Sequence, residues 1–171
     1  HPANMQGRAL ADRNGRLLGF EFRGDFNTGA YASWGPTVAG RVPVHCMGPY
    51  RVPNVDARTR AIFTNGPPCG AFRGFGVPQA AIVHESLVDE LASELGIDPL
   101  VFRKRNALRA GDTTATGQVI RSSVGLAECL EQLTPAWEAM RAQAQAHNAS
   151  QPRLRLGAGV ACMWYGCGNT S

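Results

Sequence analysis

The chain has 171 residues, of which 44% are hydrophobic and 18% are charged, a composition typical of a folded globular protein and not of a disordered one. Its net charge of +4 comes almost entirely from arginine, because Lys104 is the single lysine. The sequence shows no basic stripe along one helix face, so we expect no nucleic-acid partner. It also has no apolar run of about 18 residues, so we expect no membrane-spanning helix.

The cysteines and histidines show no pattern of a metal site or a disulfide framework. The five cysteines include no CxxC pair, and their odd number favours reduced thiols in a cytoplasmic protein. We expect buried thiols at Cys162 and Cys167, and packing at Cys69. The histidines form no HExxH or HxH cluster, so we expect no metal held directly by side chains. Because the first residue is histidine and no signal peptide is visible, we expect the chain to be one piece of a longer polypeptide.

The first part of the chain reads as a β-hairpin. Two β-like runs, residues 7–12 and 17–24, flank the turn signal Asn14-Gly15. Asn-Gly is the preferred pair for a type I′ turn, so the sequence predicts a hairpin with that turn.

The next stretch is less regular. Residues 25–37 are rich in Gly, Asn, Ser and aromatics, which predicts a loop or an irregular strand. Residues 40–45 fit either a short helical turn or a strand. Residues 49–54 are expected to be extended, because the residue before each proline is kept out of the helical region. Residues 57–64 are rich in β-branched side chains and predict a strand.

A glycine-rich loop follows at residues 70–76, with the sequence GAFRGFG. Its three glycines allow a tight turn and a close approach of the backbone to a bound group. The N–H groups and the dipole of the helix behind it favour an anion. The loop is neither a P-loop nor a GxGxxG fingerprint. The residues alone leave two alternatives open, a site for a flat anionic ligand and a rigid connector with packed phenylalanines.

The second half of the chain is predicted to be mainly helical. Apolar residues recur at helical spacing over 79–95, and Gly96 is a typical C-terminal stop. Asp98-Pro99 predicts the start of a second helix over 100–108, whose Arg103 to Arg105 cluster we interpret as a solvated, salt-bridged face. A third helix is expected over about 125–147, with Pro135 as a kink or break.

Residues 148–153 read as a polar linker and residues 154–165 as a buried strand. Strands therefore combine with a long amphipathic helix behind the glycine-rich loop, and the predicted fold class is α+β.

Residues 70–79, GAFRGFGVPQ, closely resemble the molybdopterin-binding segment of the xanthine dehydrogenase and aldehyde oxidase family. The resemblance continues through Glu85, the LGIDP segment at 95–99, Arg103 and Asn106, and through residues 111–118. Upstream, the YRVPN segment at 50–54 and the Asn-Gly hairpin also fit. The WYGCG segment at 164–168 is similar to the bacterial aldehyde oxidoreductase branch of the family.

The resemblance implies a partial molybdopterin-binding domain, with a cofactor and substrate lobe over about 1–118 and a helix, linker and start of the next strand over 119–171. It implies a molybdenum pyranopterin cofactor, either molybdopterin or its cytosine dinucleotide. The implied activity is hydroxylation of a purine-like N-heterocycle or an aldehyde with oxygen from water. Electrons would pass to 2Fe-2S clusters and FAD on other domains or subunits, which are the implied partners together with the rest of the molybdenum-binding chain.

The resemblance also implies roles for individual residues. Phe72 and Phe75 would hold a flat substrate, and Arg41 would contact the substrate and stabilise developing negative charge. The residues implied to bind the cofactor are Gly70, Ala71, Phe72, Arg73 and Gly74. Each has a structural alternative; Arg73, for example, would then form an ion pair with Glu85 or Asp89.

One element of the family is missing from the sequence. Its general base is a glutamate in a downstream glycine-rich segment, which these residues do not contain, and Glu85 does not match it. We therefore expect the chain to be inactive alone. Two alternatives remain open, a non-catalytic cofactor-binding or assembly module and a structural remnant.

Overall fold

The first two strands form the predicted hairpin, but its turn differs from the prediction. A computed structural model describes residues 2–151 and 153–166, in which β1 (Ala3–Ala11) pairs antiparallel with β2 (Leu17–Gly29). The predicted type I′ turn was wrong, because Gly15 has a positive φ of 73° and Asn14 does not. The Asp12 carboxylate instead accepts from the N–H groups of Asn14 and Arg16, each at 2.9 Å. The result is a five-residue loop, 12–16, in which Gly15 has the positive φ.

A third strand completes the sheet in the order β1-β2-β3. β3 (Val55–Phe63) runs parallel to β2, so the chain must cross over between them. The crossover carries α1 (Gly35–His45), which shows that residues 40–45 are helical. The predicted loop or irregular strand over 25–37 is confirmed in part, because the pairing of β2 with β3 is irregular between Asn27 and Gly29 and a loop follows at 30–34; it was wrong for residues 35–37, which belong to α1.

Three further helices follow β3. The predicted amphipathic helix is confirmed as α2 (Val77–Glu94), which packs on β1 and α1. α3 (Pro99–Asn106) starts at the predicted Asp98 cap, and α4 (Leu126–Ser150) packs on α3. A kink or a break was predicted at Pro135; the break was wrong, because the helix continues through the proline. Its two buried residues, Leu130 and Trp137, lie on either side of the proline and anchor both parts of α4.

The core lies between one face of the sheet and the helices. Alternate residues of β2 point into it, so Phe20, Phe22 and Phe26 are buried. Tyr50 and Phe102 belong to the same buried cluster as these rings. The arrangement of strands and helices confirms the α+β class. Among the described residues, no helix combines the length and the apolar character needed to cross a membrane.

The predicted strand over 154–165 was wrong. These residues carry no regular secondary structure, and most of them are exposed. Side chains, and not a neighbouring strand, bind their backbone: Asn148 pairs with both the N–H and the carbonyl of Leu156, and Glu85 accepts from the N–H of Cys162. Residues 154–165 therefore have the apolar composition of a strand but lack the backbone hydrogen bonds that would join them to a sheet.

Asp98 connects α3 with α4. Its carboxylate accepts from the backbone N–H groups of Leu100 and Val101 and from Nε1 of Trp137, and it pairs with Arg141. We expect Asp98→Ala to lower the free energy of unfolding by about 1–2 kcal/mol through the lost cap and the unpaired indole. Asp98→Asn keeps the capping oxygen, so its loss should be smaller. Chemical denaturation of the protein and both variants measures this, and equal losses would contradict the capping role.

Candidate functional site

The glycine-rich loop, residues 70–76, connects β3 to α2 through two consecutive turns. The N–H of Phe75 donates to the carbonyl of Phe72 at 2.8 Å, and the N–H of Val77 donates to the carbonyl of Gly74 at 2.9 Å. Gly74 and Gly76 have φ values of 94° and 97°, which glycine adopts without steric cost. Phe75 between them has a φ of 47°, a strained conformation for an aromatic residue. Strain of this kind concentrates at functional sites, where the surrounding structure enforces it.

The loop packs directly against α1. A Cβ on Gly76 would lie 2.8 Å from the carbonyl oxygen of Val38, so only glycine permits this approach. Trp34, just before α1, meets the Phe75 ring edge-on with the centroids 6.2 Å apart. These contacts fix the loop between the start of α2 and one side of α1.

A small cavity of about 130 Å³ opens between the loop and α1. Phe72, the aromatic side chain at its mouth, is 81% exposed. Gln79 also lines the cavity, and its Oε1 is buried in the protein without a hydrogen-bond partner among residues 2–151 and 153–166. The walls are formed by Val38, Phe72, Arg73, Phe75, Gly76, Pro78 and Gln79.

The electrostatics of the cavity favour an anion. Arg73 is exposed and is the only charged residue among the described lining residues. The first turn of α2 lies directly behind the loop. The N–H groups of Val77 and Ala80 donate to the carbonyls of Gly74 and Gly76, and Pro78 has no N–H, so this end of α2 acts on the cavity mainly through its dipole. The positive end of the helix dipole adds to the field of the guanidinium. The arrangement can bind a flat, negatively charged group that also donates hydrogen bonds.

The structure brings together some of the predicted site residues and separates others. Phe72, Arg73 and Phe75 line the cavity. Gly70, Ala71 and Gly74 belong to the loop but do not line the cavity. Sequence reasoning gave no role to Trp34, Val38 or Gln79, and it gave Gly76 a role only as one of the three loop glycines. Gln79 stands in the quoted GAFRGFGVPQ motif and could have been found there, whereas Trp34 and Val38 come close only through the crossover.

Arg41 lies one helical turn beyond Val38 and does not line the cavity. Its Nη1 is 3.7 Å from where a Cβ on Gly166 would stand. One turn further along α1, His45 is buried, and its Nδ1 lies 3.1 Å from the carbonyl oxygen of Arg41. The ring of His45 contacts Trp164 edge-on at 5.5 Å and stacks on Tyr165 at 6.2 Å. Burial lowers the pKa of His45, and the nearby Arg41 guanidinium lowers it further.

Glu85 forms a buried hydrogen-bonded network on α2. Its Oε1 accepts from the Tyr50 hydroxyl at 2.5 Å, and its Oε2 accepts from Nε and Nη2 of Arg103 at 2.9 and 2.7 Å. The same Oε2 accepts from the N–H of Cys162 at 3.0 Å. Burial raises the pKa of Tyr50, and the Glu85 charge raises it further.

The network corrects two expectations about the arginines. Arg103 is 0% exposed, so its interpretation as part of a solvated face was wrong, although Lys104 does form a surface pair with Glu131. Arg103 also takes both Glu85 and Asp89, the partners considered for Arg73. Burial favours a lower pKa for Arg103, but the Glu85 charge, the proximity of Tyr50 and the hydrogen bonds to Asp89 and Glu85 together outweigh it, so the pKa is raised.

The remaining candidates for site chemistry are the cysteines and any group of side chains that could bind a metal ion. Cys46 and Cys162 are buried free thiols, and burial raises the pKa of Cys46 to about 12. Cys69 is half-buried, while Cys167 and the end of the WYGCG segment lie outside the described residues. Within residues 2–151 and 153–166, no group of three or more His, Cys, Asp or Glu side chains could hold a metal ion.

Comparisons with known proteins identify the family. Residues 1–107 match the model of the molybdopterin cofactor-binding domain. The chain is 50% identical over 131 residues to the nicotinate dehydrogenase large molybdopterin subunit of Eubacterium barkeri, covering 77% of this chain and 31% of that protein. It is 40% identical over 168 residues to a putative xanthine dehydrogenase molybdenum-binding subunit of Escherichia coli, covering 96% of this chain and 22% of that protein.

A solved structure agrees. The aldehyde oxidoreductase from Desulfovibrio gigas superposes with a TM-score of 0.81 at 35% identity, over 84% of this chain and 16% of that one. The chain thus spans less than a third of the length of each of these relatives. The predicted resemblance to xanthine dehydrogenases and aldehyde oxidases is confirmed, and the chain belongs to the family of molybdopterin cofactor-binding domains.

Proposed function

We propose that the chain forms part of the active-site region of a molybdenum hydroxylase. The full enzyme would hydroxylate an N-heterocycle or an aldehyde with oxygen from water and pass electrons to iron–sulfur and flavin groups on other domains or subunits. The observation that carries the proposal is the cavity at the glycine-rich loop, which Arg73 and the start of α2 line together.

The residues of the cavity fit a molybdenum pterin. Arg73 and the first turn of α2 suit its phosphate or its negatively charged metal-binding end. The buried Oε1 of Gln79 needs a hydrogen-bond donor, and a pterin carries N–H groups. Gly74 and Gly76 allow the loop to pack closely on Pro78 and on the Val38 carbonyl, which holds the loop in shape beside the cavity. When bound, the cofactor would supply the oxidative hydroxylation, while the residues of this chain bind and orient it.

The substrate side of the proposal rests on aromatic side chains. Phe72 is largely exposed at the mouth of the cavity, and the strained backbone of Phe75 fixes the second ring. Offset stacking between two such rings suits a flat aromatic substrate. The relative at 50% identity is a nicotinate dehydrogenase subunit, so we favour an N-heterocycle over an aldehyde. Arg41 would contribute a positive charge to the ring or its substituent.

We propose that the catalytic base lies outside this chain. No carboxylate is found among the described residues that line the cavity. Glu85 is unsuited to the role, because Tyr50, Arg103 and the N–H of Cys162 occupy both of its oxygens. A base must reach the proton it removes, and a buried, fully hydrogen-bonded carboxylate does not.

The same absence favours a second candidate function, a module that binds the cofactor without turnover. Metal analysis of the full-length protein, combined with dye reduction on nicotinate, xanthine and benzaldehyde, distinguishes the candidates. Molybdenum with substrate-dependent dye reduction supports the hydroxylase. Molybdenum without turnover supports the binding module. A protein that contains no molybdenum when its host supplies the cofactor contradicts both.

The Arg73 guanidinium is expected to retain the cofactor. Arg73→Ala removes the charge that faces the cavity, so the molybdenum content of the purified enzyme should fall by about tenfold after dialysis, as expected for losing one charged contact. Arg13→Ala is the matched control, because Arg13 is an exposed arginine in the hairpin loop, remote in sequence from residues 70–76. Full molybdenum content in the Arg73 variant would contradict the role.

Gly76 is expected to be indispensable for the loop geometry. Gly76→Ala places a methyl group 2.8 Å from the Val38 carbonyl and adds the cost of a positive φ, so molybdenum content should fall. Gly96→Ala is the control: Gly96 also has a positive φ, but a Cβ there meets nothing within 4 Å. If both variants retain molybdenum equally, the contact with α1 is not required.

Arg41 is expected to set the substrate preference. Arg41→Met keeps an unbranched apolar stem but removes the guanidinium and its charge, so turnover of nicotinate or xanthine should fall relative to turnover of benzaldehyde. The ratio of kcat/KM values for the two substrate types measures the change. Identical ratios in the enzyme and the variant would exclude a substrate role for Arg41.

A further inference from the structure

Residues 158–166, in the C-terminal part of the described chain, form an irregular segment that we name the strap. The strap has no ladder partner, so its backbone depends on individual side chains. Its one deeply buried residue is Cys162, whose N–H donates to Oε2 of Glu85 at 3.0 Å. His84, the neighbour of Glu85 on α2, places Nε2 at 3.4 Å from the carbonyl oxygen of Cys162. Two consecutive residues of α2 therefore hold both backbone groups of Cys162.

The Glu85 carboxylate is itself fixed from two other directions. Tyr50 donates to its Oε1, and the fully buried guanidinium of Arg103 donates twice to its Oε2. Charge-assisted hydrogen bonds of this kind are shorter and stronger than neutral ones. The carboxylate cannot rotate without leaving a buried positive charge uncompensated, which is strongly unfavourable. The N–H of Cys162 is thus hydrogen-bonded to a carboxylate whose position is fixed.

Beyond Cys162 the strap reaches α1. Trp164 and Tyr165 contact the ring of His45 from two sides, and Gly166 lies beside the guanidinium of Arg41. The Nδ1 of His45 in turn meets the carbonyl oxygen of Arg41. A short path therefore leads from Glu85 through Cys162 and the strap aromatics to the end of α1 that carries Arg41.

We propose that Glu85 is a positioning residue that acts through the strap to hold Arg41 in place for substrate binding. The proposal rests on the proposed function, in which Arg41 contacts the substrate. It assigns Glu85 an influence on substrate affinity, although this side chain lies on α2 and touches no wall of the cavity. Cofactor binding is not expected to depend on it, because the glycine-rich loop is fixed by Gly76 and Val38.

Glu85→Gln tests the proposal with a side chain of nearly the same size. The amide weakens the acceptor for Arg103 and Cys162, which loosens the strap. In the complete enzyme we expect KM for nicotinate to rise about tenfold, with kcat reduced by less than about threefold. Molybdenum content should equal that of the unmodified enzyme. A purely structural role would lower molybdenum content and kcat together.

Asp89→Asn is the matched control. Asp89 binds the same Arg103 at 2.8 Å, but it is half-exposed and does not contact Cys162. In this variant, KM for nicotinate should remain within about twofold of the value for the unmodified enzyme, since exposed ion pairs contribute little to stability. A tenfold rise in this control as well would show that any loss at Arg103 has the same effect, and the assignment to the strap would be overturned.

A double-mutant cycle with Arg41→Met shows whether Glu85 acts through Arg41. If it does, Glu85→Gln adds nothing to KM once Arg41 is replaced. Additive effects would overturn the inference and leave the role of Arg41 intact. If Arg41→Met alone leaves KM unchanged, the substrate role of Arg41 in the proposed function fails, and the inference fails with it. The two failures are therefore distinguishable.

Trp164→Leu provides a second route if Glu85→Gln does not fold. It removes the Trp164 contact with His45, the nearer of the two ring contacts that the strap makes there, without touching Glu85. The indole Nε1 has no hydrogen-bond partner among the described residues to lose. The same rise in KM, again absent in the Arg41→Met background, supports positioning by the strap. An unchanged KM in this variant would overturn it.

Discussion

The buried ion pair between Glu85 and Arg103 constrains the rest of the structure. A carboxylate and a guanidinium removed from water require several well-placed partners, because desolvation costs as much as their attraction returns. Tyr50 and the N–H of Cys162 supply the remaining bonds, with Asp89 on the outer side of Arg103. Four segments distant in sequence are therefore held at one point: the stretch before β3, α2, α3 and the strap. A hydrophobic core alone would place them with less positional precision.

This constraint reaches the candidate site through α2. The helix starts at the glycine-rich loop and carries Glu85 further along its length, so the loop and the network belong to one rigid element. Gly76 holds the loop on α1, and the strap holds the far end of α1 through His45. The strain at Phe75 persists because both of its flanks are fixed in this way. The site is built on helices, which position groups more accurately than a free loop does.

Local patterns in the sequence predicted much of this arrangement. Contacts between residues that are distant in sequence could not be predicted in this way. The hairpin, α2 and the Asp98 cap follow from short motifs with a direct backbone cause. The turn type was wrong because the Asp12 side chain competes for the backbone of the turn. Burial of Arg103 depends on Glu85, which is distant in sequence, and the form of the strap depends on α2, so no local pattern reveals them. Phe72 and Arg73 were found through the family motif, whereas Trp34 and Val38 are close to them only because β3 is parallel to β2.

The charge distribution supports the proposal that the catalytic base lies outside this chain. The small cavity has one charged wall residue among those described, Arg73, and it lies near the positive end of α2. A carboxylate in the same space would cancel much of the potential that attracts an anion. Glu85, the acidic side chain of α2 closest to the interior, is instead neutralised by Arg103. A catalytic base is compatible with this site only if it approaches from the opposite side of the bound group. The anion-binding loop and the base are therefore expected on separate parts of the full-length protein, facing each other across the substrate.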